Sequence, residues 1–349
     1  MAYSKISGFA DEIDAVVDKQ FEVLDKLNMK YFEVRGVDGK NISTLSEEEV
    51  FKLKEKMEQH GIQVSSIGSP IGKVKLEEPF EEHFELFKKV VEIAKNLNTK
   101  YIRMFSFYHD GGDVWTEEER AEVLVRLRKM IEYAREQDII LLHENEKDIY
   151  GDTAERCADL MKELHCENFK AVFDPANFVQ CKQDNKYAYE LLKDYIAYVH
   201  IKDARYADNK VVPAGMGDGE VPYVLKELFA NGYDGFVSLE PHLGHFSGLA
   251  ALELDDYLRY GNIKNSVNFP NVSMPFSADK RMCVLHANVP NVISQITAAL
   301  SETGANIENM MNKSKGDNAY TMVDITGEVT ENAANKIAAI EGVYRVRVI

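Results

Sequence analysis

Eight short apolar or β-branched segments recur along the first 240 residues, and they constrain the fold more than any other feature of the sequence. Their starts are 26 to 39 residues apart, which leaves room for one helix in each interval. Nearly continuous apolar runs of this length are typical of strands that are buried on both faces of a parallel sheet. We predict strands at Lys5–Phe9, Tyr31–Arg35, Val64–Ile67, Tyr101–Phe105, Ile139–His143, Phe169–Phe173, Ile196–His200 and Gly235–Leu239.

The segments between these strands carry helix signals. "SEEE" at 46–49 and "TEEE" at 116–119 are capping boxes that open amphipathic runs, and "PFEEHFELFKKVVEIAKNL" repeats apolar residues at helical spacing. Eight such βα units predict an α/β fold, a (β/α)8 TIM barrel. A doubly wound open sheet would give the same alternation, but no GxGxxG follows the first strand and eight regular units favour closure.

A different pattern begins near residue 262. "NIKNSVNFPNVSMPFSADK" is rich in Asn, Ser and Pro and has no periodicity, which is typical of a linker or an extended arm. The rest of the chain, from "RMCVLHA" to "VYRVRVI", reads βαββαβ, the order of a small ferredoxin-like α+β domain. We therefore predict a barrel over 1–261, an arm over 262–280 and a ferredoxin-like domain over 281–349.

Charge and cysteine content exclude several classes of protein. The net charge is −17, of which residues 278–349 contribute only −1, from 7 Lys and Arg against 8 Asp and Glu. An acidic barrel repels phosphate backbones, so we expect no nucleic-acid partner. We expect no membrane partner either, because no apolar run has the length of a membrane span. "MAYSKISGFADEID" lacks the basic-then-apolar pattern of a secretory signal, and the four cysteines form no CxxC, so we predict a cytoplasmic protein with reduced thiols.

In a TIM barrel, functional side chains collect at the carboxyl ends of the strands. The last four strands end in "LLHEN", "VFDPAN", "YVHIKD" and "VSLEPH", which supply Glu144, Asp174, His200 and Glu240. Three carboxylates and one imidazole on one rim are a donor set for a divalent cation. The alternative is that these are separate rim residues, neutralised by Lys73, Arg103 and Lys202.

The motifs "ISGFADEI", "YFEVRG", "SSIGSPIGK", "YIRMFSFY", "LLHENE", "FDPANF", "YVHIKDA", "VPAGMGDGEVP" and "GYDGFVSLEPHL" resemble the xylose isomerase-like barrel family of sugar isomerases and epimerases, over about residues 3–260. The resemblance implies that one metal ion is held by Glu144, Asp174, His200 and Glu240. We take Mn²⁺ as the first choice, with Mg²⁺, Co²⁺ and Zn²⁺ as alternatives. It also implies that the two glutamates double as proton donor and acceptor.

The surrounding rim residues have candidate roles of their own. Lys202 follows His200 by two residues on the same strand face, and we predict that it neutralises a developing oxyanion, or else forms a salt bridge to a ligating carboxylate. His143 should point away from the pore by alternation. The predicted substrate-binding residues are Glu33, Ser66, Arg103 and His242.

"DPAN" departs from the family, many of whose members have a histidine three residues after the aspartate. Here that position is Asn177, which cannot take a proton at neutral pH. The apurinic endonuclease relatives hold three zinc ions with extra histidines, and this chain does not supply them. Together with the acidic charge, this argues against a nuclease.

The C-terminal region, from about residue 252, resembles the tail of D-3-phosphoglycerate dehydrogenase, including its ACT domain. "NVPNVISQITAALSETGANI" and "NKSKGDNAYTMVDITGEV" carry most of the match, and the dehydrogenase's catalytic domains are missing. The resemblance implies side-by-side pairing into a homodimer or higher homo-oligomer, and an amino-acid effector such as serine at His286, Asn288 and Asn306. The alternative is a domain that only dimerises.

These observations predict a metal-dependent isomerase or epimerase that moves a proton beside the carbonyl of a sugar or polyol. A dehydratase or lyase acting on a keto-sugar or keto-inositol would use the same groups, and the sequence does not separate the two. No glycine-rich phosphate loop is present, which favours an unphosphorylated substrate. A hypothesis from another class is a non-catalytic metabolite sensor, against which the paired Glu144 and Glu240 argue.

Overall fold

The structure is a computed structural model that describes residues 5–112, 114–242, 256–257, 259–263, 266, 269–327 and 331–349, with the backbone alone at 331 and 332. The chain divides into two compact units, Met1–Ser247 and Gly248–Ile349. Each unit is described by itself below. Among the described residues, no helix has both the length and the apolar character that a membrane span requires.

The first unit is an eight-stranded parallel barrel. Its strand order is β1-β8-β7-β6-β5-β4-β3-β2, and a parallel bridge between Phe9 and Glu33 brings the two edge strands together. All eight predicted strands are confirmed, each within one residue of the predicted bounds. They are β1 Lys5–Gly8, β2 Tyr31–Val34, β3 Gln63–Gly68, β4 Tyr101–Met104, β5 Ile140–Glu144, β6 Phe169–Phe173, β7 Ile196–Ile201 and β8 Phe236–Leu239.

Helices follow the strands as the sequence predicts, and both capping boxes form. Ser46 and Glu49 exchange hydrogen bonds at the start of the second helix, and Thr116 and Glu119 do so at the start of the fourth. The helix expected after β8 lies largely outside the described residues. The described helices of this unit are α1 Val17–Lys26, α2 Glu47–His60, α3 Phe80–Asn96, α4 Glu117–Glu136, α5 Ala154–Leu164, α6 Pro175–Gln180, α7 Asn185–Leu192 and α8 Val221–Ala230.

A half-buried histidine, His83, fastens the loop between β3 and α3. The backbone N–H of Gly72 donates to Nε2 of His83 (2.8 Å), and the positive φ of Gly72 brings its Cα so close to the carbonyl of Phe105 that a Cβ would clash with it. Burial, reinforced by the nearby charge of Arg126, lowers the pKa of His83 to about 4. The folded protein therefore keeps this imidazole neutral well below the ordinary histidine pKa of about 6.5.

This shift predicts that the barrel loses stability as the pH falls from about 6.5 toward 4. In that window the unfolded chain binds a proton at His83 that the folded chain does not, so acid favours unfolding. After allowance for partial solvent screening, we expect His83 to contribute about 1 kcal/mol of lost stability between pH 7 and pH 5. Urea unfolding of the wild type and His83→Gln at both pH values measures this. Glutamine can still accept from Gly72 but does not titrate, and an equal pH dependence in the two proteins would contradict the prediction.

The second unit contains a four-stranded antiparallel sheet in the predicted βαββαβ order. Its elements are β9 Lys280–Ala287, α9 Val292–Ser301, β10 Asn306–Lys315, β11 Asn318–Thr326, α10 Glu331–Ala338 and β12 Val343–Val348. The sheet order is β10-β11-β9-β12, which is that of a ferredoxin-like domain. One apolar core lies between the sheet and its helices and includes Val284, Ile296, Leu300, Val323 and Ile337.

The segment predicted as an arm is packed, in part, into a second core of this unit. Ile263 pairs with Val272 in an antiparallel bridge, and both pack with Met274, Cys283 and Tyr320. The position of the domain boundary at 261 stays a prediction. Burial of these arm residues means that the segment stabilises the ferredoxin-like domain rather than spanning freely between domains.

A buried arginine ties the arm to the sheet. Arg281 on β9 is fully buried and pairs with Asp324 on β11, whose Oδ2 lies 2.8 Å from Nη2. The guanidinium also donates to the carbonyls of Tyr260, Met274 and Pro275 at 2.6 to 2.8 Å. All five of its N–H donors are thus used, which is the condition under which a buried charge is tolerated.

Candidate metal centre and active site

Four buried side chains meet at the carboxyl ends of the last four barrel strands. Glu144 is the last residue of β5, Asp174 caps α6 directly after β6, His200 lies in β7, and Glu240 follows β8. Each is at most 2% exposed, and one potential ligand atom from each lies within 4.8 Å of the others. The structure therefore brings together the four residues that the sequence predicted as a metal site.

His200 is the centre of this cluster. Its Nδ1 lies 3.0 Å from Glu144 Oε1, 3.2 Å from Glu240 Oε2 and 3.8 Å from Asp174 Oδ2. Burial opposes protonation of the imidazole, but the negative charges of Glu144 and Glu33 outweigh it and raise the pKa of His200.

Lys202 lies among the same carboxylates. Its Nζ is 2.8 Å from Asp174 Oδ2 and 3.2 Å from Glu240 Oε2, and the side chain is almost fully buried. Burial disfavours its charge, but these carboxylates outweigh that and raise the pKa of Lys202. This contact corresponds to the salt-bridge alternative of the sequence prediction.

Asp174 offers the clearest test of whether a cation fits. Its Oδ1 accepts from the backbone N–H of Asn177 (2.9 Å), whereas buried Oδ2 accepts no well-aligned hydrogen bond from the described residues. Burial raises the pKa of this carboxyl to about 7, despite the charge of Lys202. This buried oxygen lies 2.8 Å from the Lys202 ammonium and beside two further carboxylates and an imidazole, and the three carboxylates with the imidazole form a donor set that suits a divalent cation.

Glu144 is held by two donors. Arg103 Nη1 donates to its Oε2 (2.8 Å) and Asn177 Nδ2 to its Oε1 (3.2 Å). Burial opposes ionisation, but the charges of His200 and Arg103 outweigh it and lower the pKa of Glu144. The guanidinium of Arg103 thus pairs with Glu144. Asn177 orients Glu144 as an amide donor.

Glu33 and Ser66 are both buried but differ in their contacts. Glu33 Oε2 lies 3.1 Å from His200 Nε2 and accepts from Ser238 Oγ (2.8 Å). Ser66 Oγ lies 3.5 Å from the carbonyl oxygen of the adjacent Ile67, so its side chain is engaged locally. Their predicted substrate-binding roles stay predictions.

An ionic network at the rim beside Glu240 was not predicted from the sequence. Arg35 donates to Asp11, to Glu12 Oε1 (3.2 Å) and to Glu240 Oε1 (3.1 Å), and its guanidinium lies 4.5 Å from the ring centroid of Phe9. Arg35 follows Glu33 by two residues, and the strand period of 2 should have assigned it to the same face.

His242 belongs to this network. Its Nε2 lies 3.1 Å from Glu240 Oε1 and 3.3 Å from Glu12 Oε1, and its backbone N–H donates to Glu12. These three residues could in principle ligate a cation. Because the guanidinium of Arg35 already contacts all three side chains, we interpret the group as an ion-pair network.

Other rim residues are engaged with the protein. His143 turns away from the pore, as predicted, and hydrogen-bonds Ser106 (2.9 Å), and Lys73 pairs with Glu146 on the neighbouring loop (2.9 Å). Next to Lys202, the carboxylate of Asp203 accepts hydrogen bonds from four backbone N–H groups and so anchors the loop that follows β7. The donors are those of Ala204, Gly215, Gly217 and Gly219.

In the second unit, the predicted effector residues have partners within the domain. His286 is buried, and its ring nitrogens contact Thr321 Oγ1 (2.9 Å) and the carbonyl of Ala287 (2.8 Å). Asn288 and Asn306 are exposed, and their side-chain amides donate to Gly316 and Glu308. An amino-acid site at these residues stays a prediction.

A model of the family described as xylose isomerase-like TIM barrel matches residues 21–257, about two thirds of the chain. The chain belongs to the xylose isomerase-like TIM barrel family.

The chain also matches individual curated proteins. D-3-phosphoglycerate dehydrogenase of Escherichia coli (strain K12) is 30% identical over 123 residues, covering 32% of the chain and 30% of the dehydrogenase. Inosose dehydratase of Geobacillus thermodenitrificans (strain NG80-2) is 26% identical over 190 residues, covering 46% of the chain and 64% of that enzyme. Both resemblances predicted from the motifs are confirmed. The chain spans about a third of the length of the dehydrogenases it matches.

Solved structures share the xylose isomerase-like barrel at low identity. The probable 3-DHS dehydratase AsbF of Bacillus anthracis superposes with a TM-score of 0.59 at 18% identity, covering 74% of this chain and all of that one. The IOLI protein with a bound zinc atom superposes with a TM-score of 0.60 at 18% identity, covering 72% of this chain and 94% of that one. The 3-keto-D-glucoside 4-epimerase YcjR of E. coli superposes with a TM-score of 0.55 at 16% identity, covering 72% of this chain and 98% of that one. At such identities these comparisons show the fold, and they leave the reaction class open.

Proposed function

We propose that the protein is a divalent-metal-dependent isomerase or epimerase that moves a proton beside the carbonyl of a sugar or sugar derivative. The observation that carries this proposal is the cluster of Glu144, Asp174, His200 and Glu240, whose potential ligand atoms lie within 4.8 Å of one another. A sensor would gain nothing from two buried glutamates held beside a cation site, whereas proton transfer requires them.

The residues present fit a metal ion, because three buried carboxylates and one imidazole place potential ligand atoms within 4.8 Å of one another. We propose Glu144, Asp174, His200 and Glu240 as its ligands. Mn²⁺ is our first choice, with Mg²⁺, Co²⁺ and Zn²⁺ as alternatives, and the zinc atom of the IOLI protein supports a metal in this fold. When bound, a divalent cation would polarise a substrate carbonyl and acidify the adjacent C–H.

Two carboxylates can share the proton transfer. Burial opposes ionisation of both, but neighbouring cations outweigh it and lower the pKa values of Glu144 and Glu240, so both are acceptors at neutral pH. Arg103 fixes the orientation of one, and Arg35 and Lys202 fix that of the other. One glutamate would remove the proton from carbon, and the other, after taking a proton from solvent, would deliver it to the opposite face of that carbon, while the ammonium of Lys202 would stabilise negative charge on the substrate oxygen.

A dehydratase or lyase acting on a keto-sugar or keto-inositol is the second candidate. The specific observation in its favour is the relative named inosose dehydratase, which is 26% identical over 46% of this chain. The same base would remove the proton, and a hydroxyl would then leave instead of carbon being reprotonated. The substrate of a dehydratase would differ from that of an isomerase or epimerase only in the position of a leaving group relative to the base.

The remaining predictions form part of the proposal. We propose that residues 281–349 form an ACT domain that pairs the chain into a homodimer or higher oligomer, with an amino acid such as serine as effector at His286, Asn288 and Asn306. We also propose barrel and arm boundaries at 261 and 280, a cytoplasmic location, an unphosphorylated sugar or polyol as substrate, and substrate contacts at Ser66, Arg103 and His242.

Exchange of substrate hydrogen with solvent tests this proposal. The protein, loaded with Mn²⁺, Co²⁺ or Zn²⁺, is incubated in D₂O with free ketohexoses and keto-inositols, and deuterium incorporation is followed by NMR. We expect incorporation at a carbon next to the carbonyl, and its loss after chelation. An epimer or isomer as product would support the first candidate, loss of water the second, and no exchange with any compound would favour a sensor.

A further inference from the structure

One buried carboxylate has a place in the site that the proposed reaction does not use. Glu33 is the third residue of β2 and only 1% exposed. Its Oε2 lies 3.1 Å from Nε2 of His200, on the far side of the ring from the other carboxylates. The sequence analysis placed Glu33 among substrate-binding residues because it lies near a strand end.

The two nitrogens of His200 face different partners. Nδ1 points to the potential ligand oxygens of Glu144 and Glu240, at 3.0 and 3.2 Å, whereas Nε2 points to Glu33. A neutral imidazole carries one proton, and only the nitrogen without it has a lone pair to give to a cation. If the proton were on Nδ1, the lone pair of Nε2 would face that of Glu33 and the N–H would face the cation.

Glu33 is itself fixed from the barrel interior. Ser238 Oγ donates to the same oxygen, Oε2, at 2.8 Å, and Ser238 precedes Glu240 by two residues on β8. The period of a strand places Ser238 one layer below the candidate ligand Glu240. Glu33 and Ser238 thus form a layer beneath the cluster. The side chain of His200 links this layer to the cluster, because its Nε2 contacts Glu33.

We propose that Glu33 is a positioning residue, which holds the proton of His200 on Nε2 and thereby presents the Nδ1 lone pair to a divalent cation. This inference rests on the proposed metal site. Carboxylates that accept the second N–H of a ligating histidine orient the ring and raise its basicity, and their loss weakens metal affinity about 10- to 100-fold. Glu33 then belongs to the metal site rather than to the substrate.

Cobalt binding tests the inference without an assay of turnover. The full chain and Glu33→Gln are titrated with Co²⁺ in competition with a chromophoric chelator, and the visible absorption of the bound ion is recorded. We expect affinity to fall about 10- to 100-fold in the variant while the visible spectrum is kept, because the ligand set is unchanged. Ser238→Ala, which removes only the second hydrogen bond to Oε2, should lower affinity by a smaller factor and guards against misfolding of the first variant.

Three outcomes would overturn the inference, and they differ from one another. A changed visible spectrum in Glu33→Gln would make Glu33 a direct ligand. Unchanged cobalt affinity with a raised KM would make it a substrate contact. If the wild-type chain bound no cobalt, the proposed metal function would fail first and the role of Glu33 with it.

Discussion

Replacing Glu240 with glutamine is expected to lower kcat by about 10²- to 10⁴-fold, the usual contribution of a positioned general acid or base. Glutamine keeps the size and one oxygen of the side chain but cannot accept a proton at neutral pH. Glu240 is the most heavily contacted carboxylate of the cluster, since Lys202, His200 and Arg35 all lie within 3.2 Å of it. Because the variant also removes a ligand charge from the cluster, its kcat is compared with that of the wild type when both proteins are fully loaded with metal.

Turnover in the deuterium-exchange assay measures this effect, together with substrate binding by calorimetry. Glu48→Gln is a matched control, because Glu48 is a largely exposed glutamate of α2 that pairs with Lys52 on the same helix. It should behave as the wild type. Full turnover in Glu240→Gln would remove Glu240 from the mechanism and leave Glu144 to carry the proton alone.

Replacing Arg281 with methionine is expected to destabilise the C-terminal domain by about 3 to 5 kcal/mol, the usual effect of breaking a buried ion pair from one side. The variant would leave Asp324 buried without its guanidinium, and the carbonyls of Tyr260, Met274 and Pro275 without their donor. The arm should detach at residues 260–275 before the sheet unfolds, because those carbonyls lie there. Denaturant unfolding and amide hydrogen exchange of β9 and β11 would record the loss.

Lys336→Met provides the comparison, because Lys336 and Glu302 form an ion pair of which both side chains are more than half exposed. Exposed pairs contribute about 1 kcal/mol or less. Similar destabilisation by the two variants would show that burial of Arg281 does not set its contribution, and would count against the arm as a stabilising part of the domain.

The fold could be predicted from the sequence because its signals are local. Apolar runs at regular intervals define the eight strands. Capping boxes such as Ser46–Glu49 are motifs of only four residues, and they mark where helices begin. The convergence of Glu144, Asp174, His200 and Glu240 also follows from local data. Once eight parallel strands close into a barrel, their carboxyl ends must share one rim.

What could not be predicted depends on contacts between distant residues. The partner of Arg103 proved to be Glu144, on the next strand, and Arg35 contacts Glu240 across a separation of 205 residues. Both pairings depend on which side chains meet at the rim of the closed barrel rather than on spacing along the chain. Burial of Ile263 and Val272 was likewise hidden, because a segment rich in Asn and Pro has no periodicity from which a buried face can be read.

The central claim is that Glu144, Asp174, His200 and Glu240 hold one divalent cation. Metal content per chain, measured by mass spectrometry on protein dialysed without chelator, tests it most directly. We predict about one tightly held ion in the wild type and its loss in Glu144→Gln, which removes a ligand charge from the cluster. Absence of any ion from the wild type, even after incubation with manganese or cobalt, would contradict the account and leave a barrel that binds its ligand without metal chemistry.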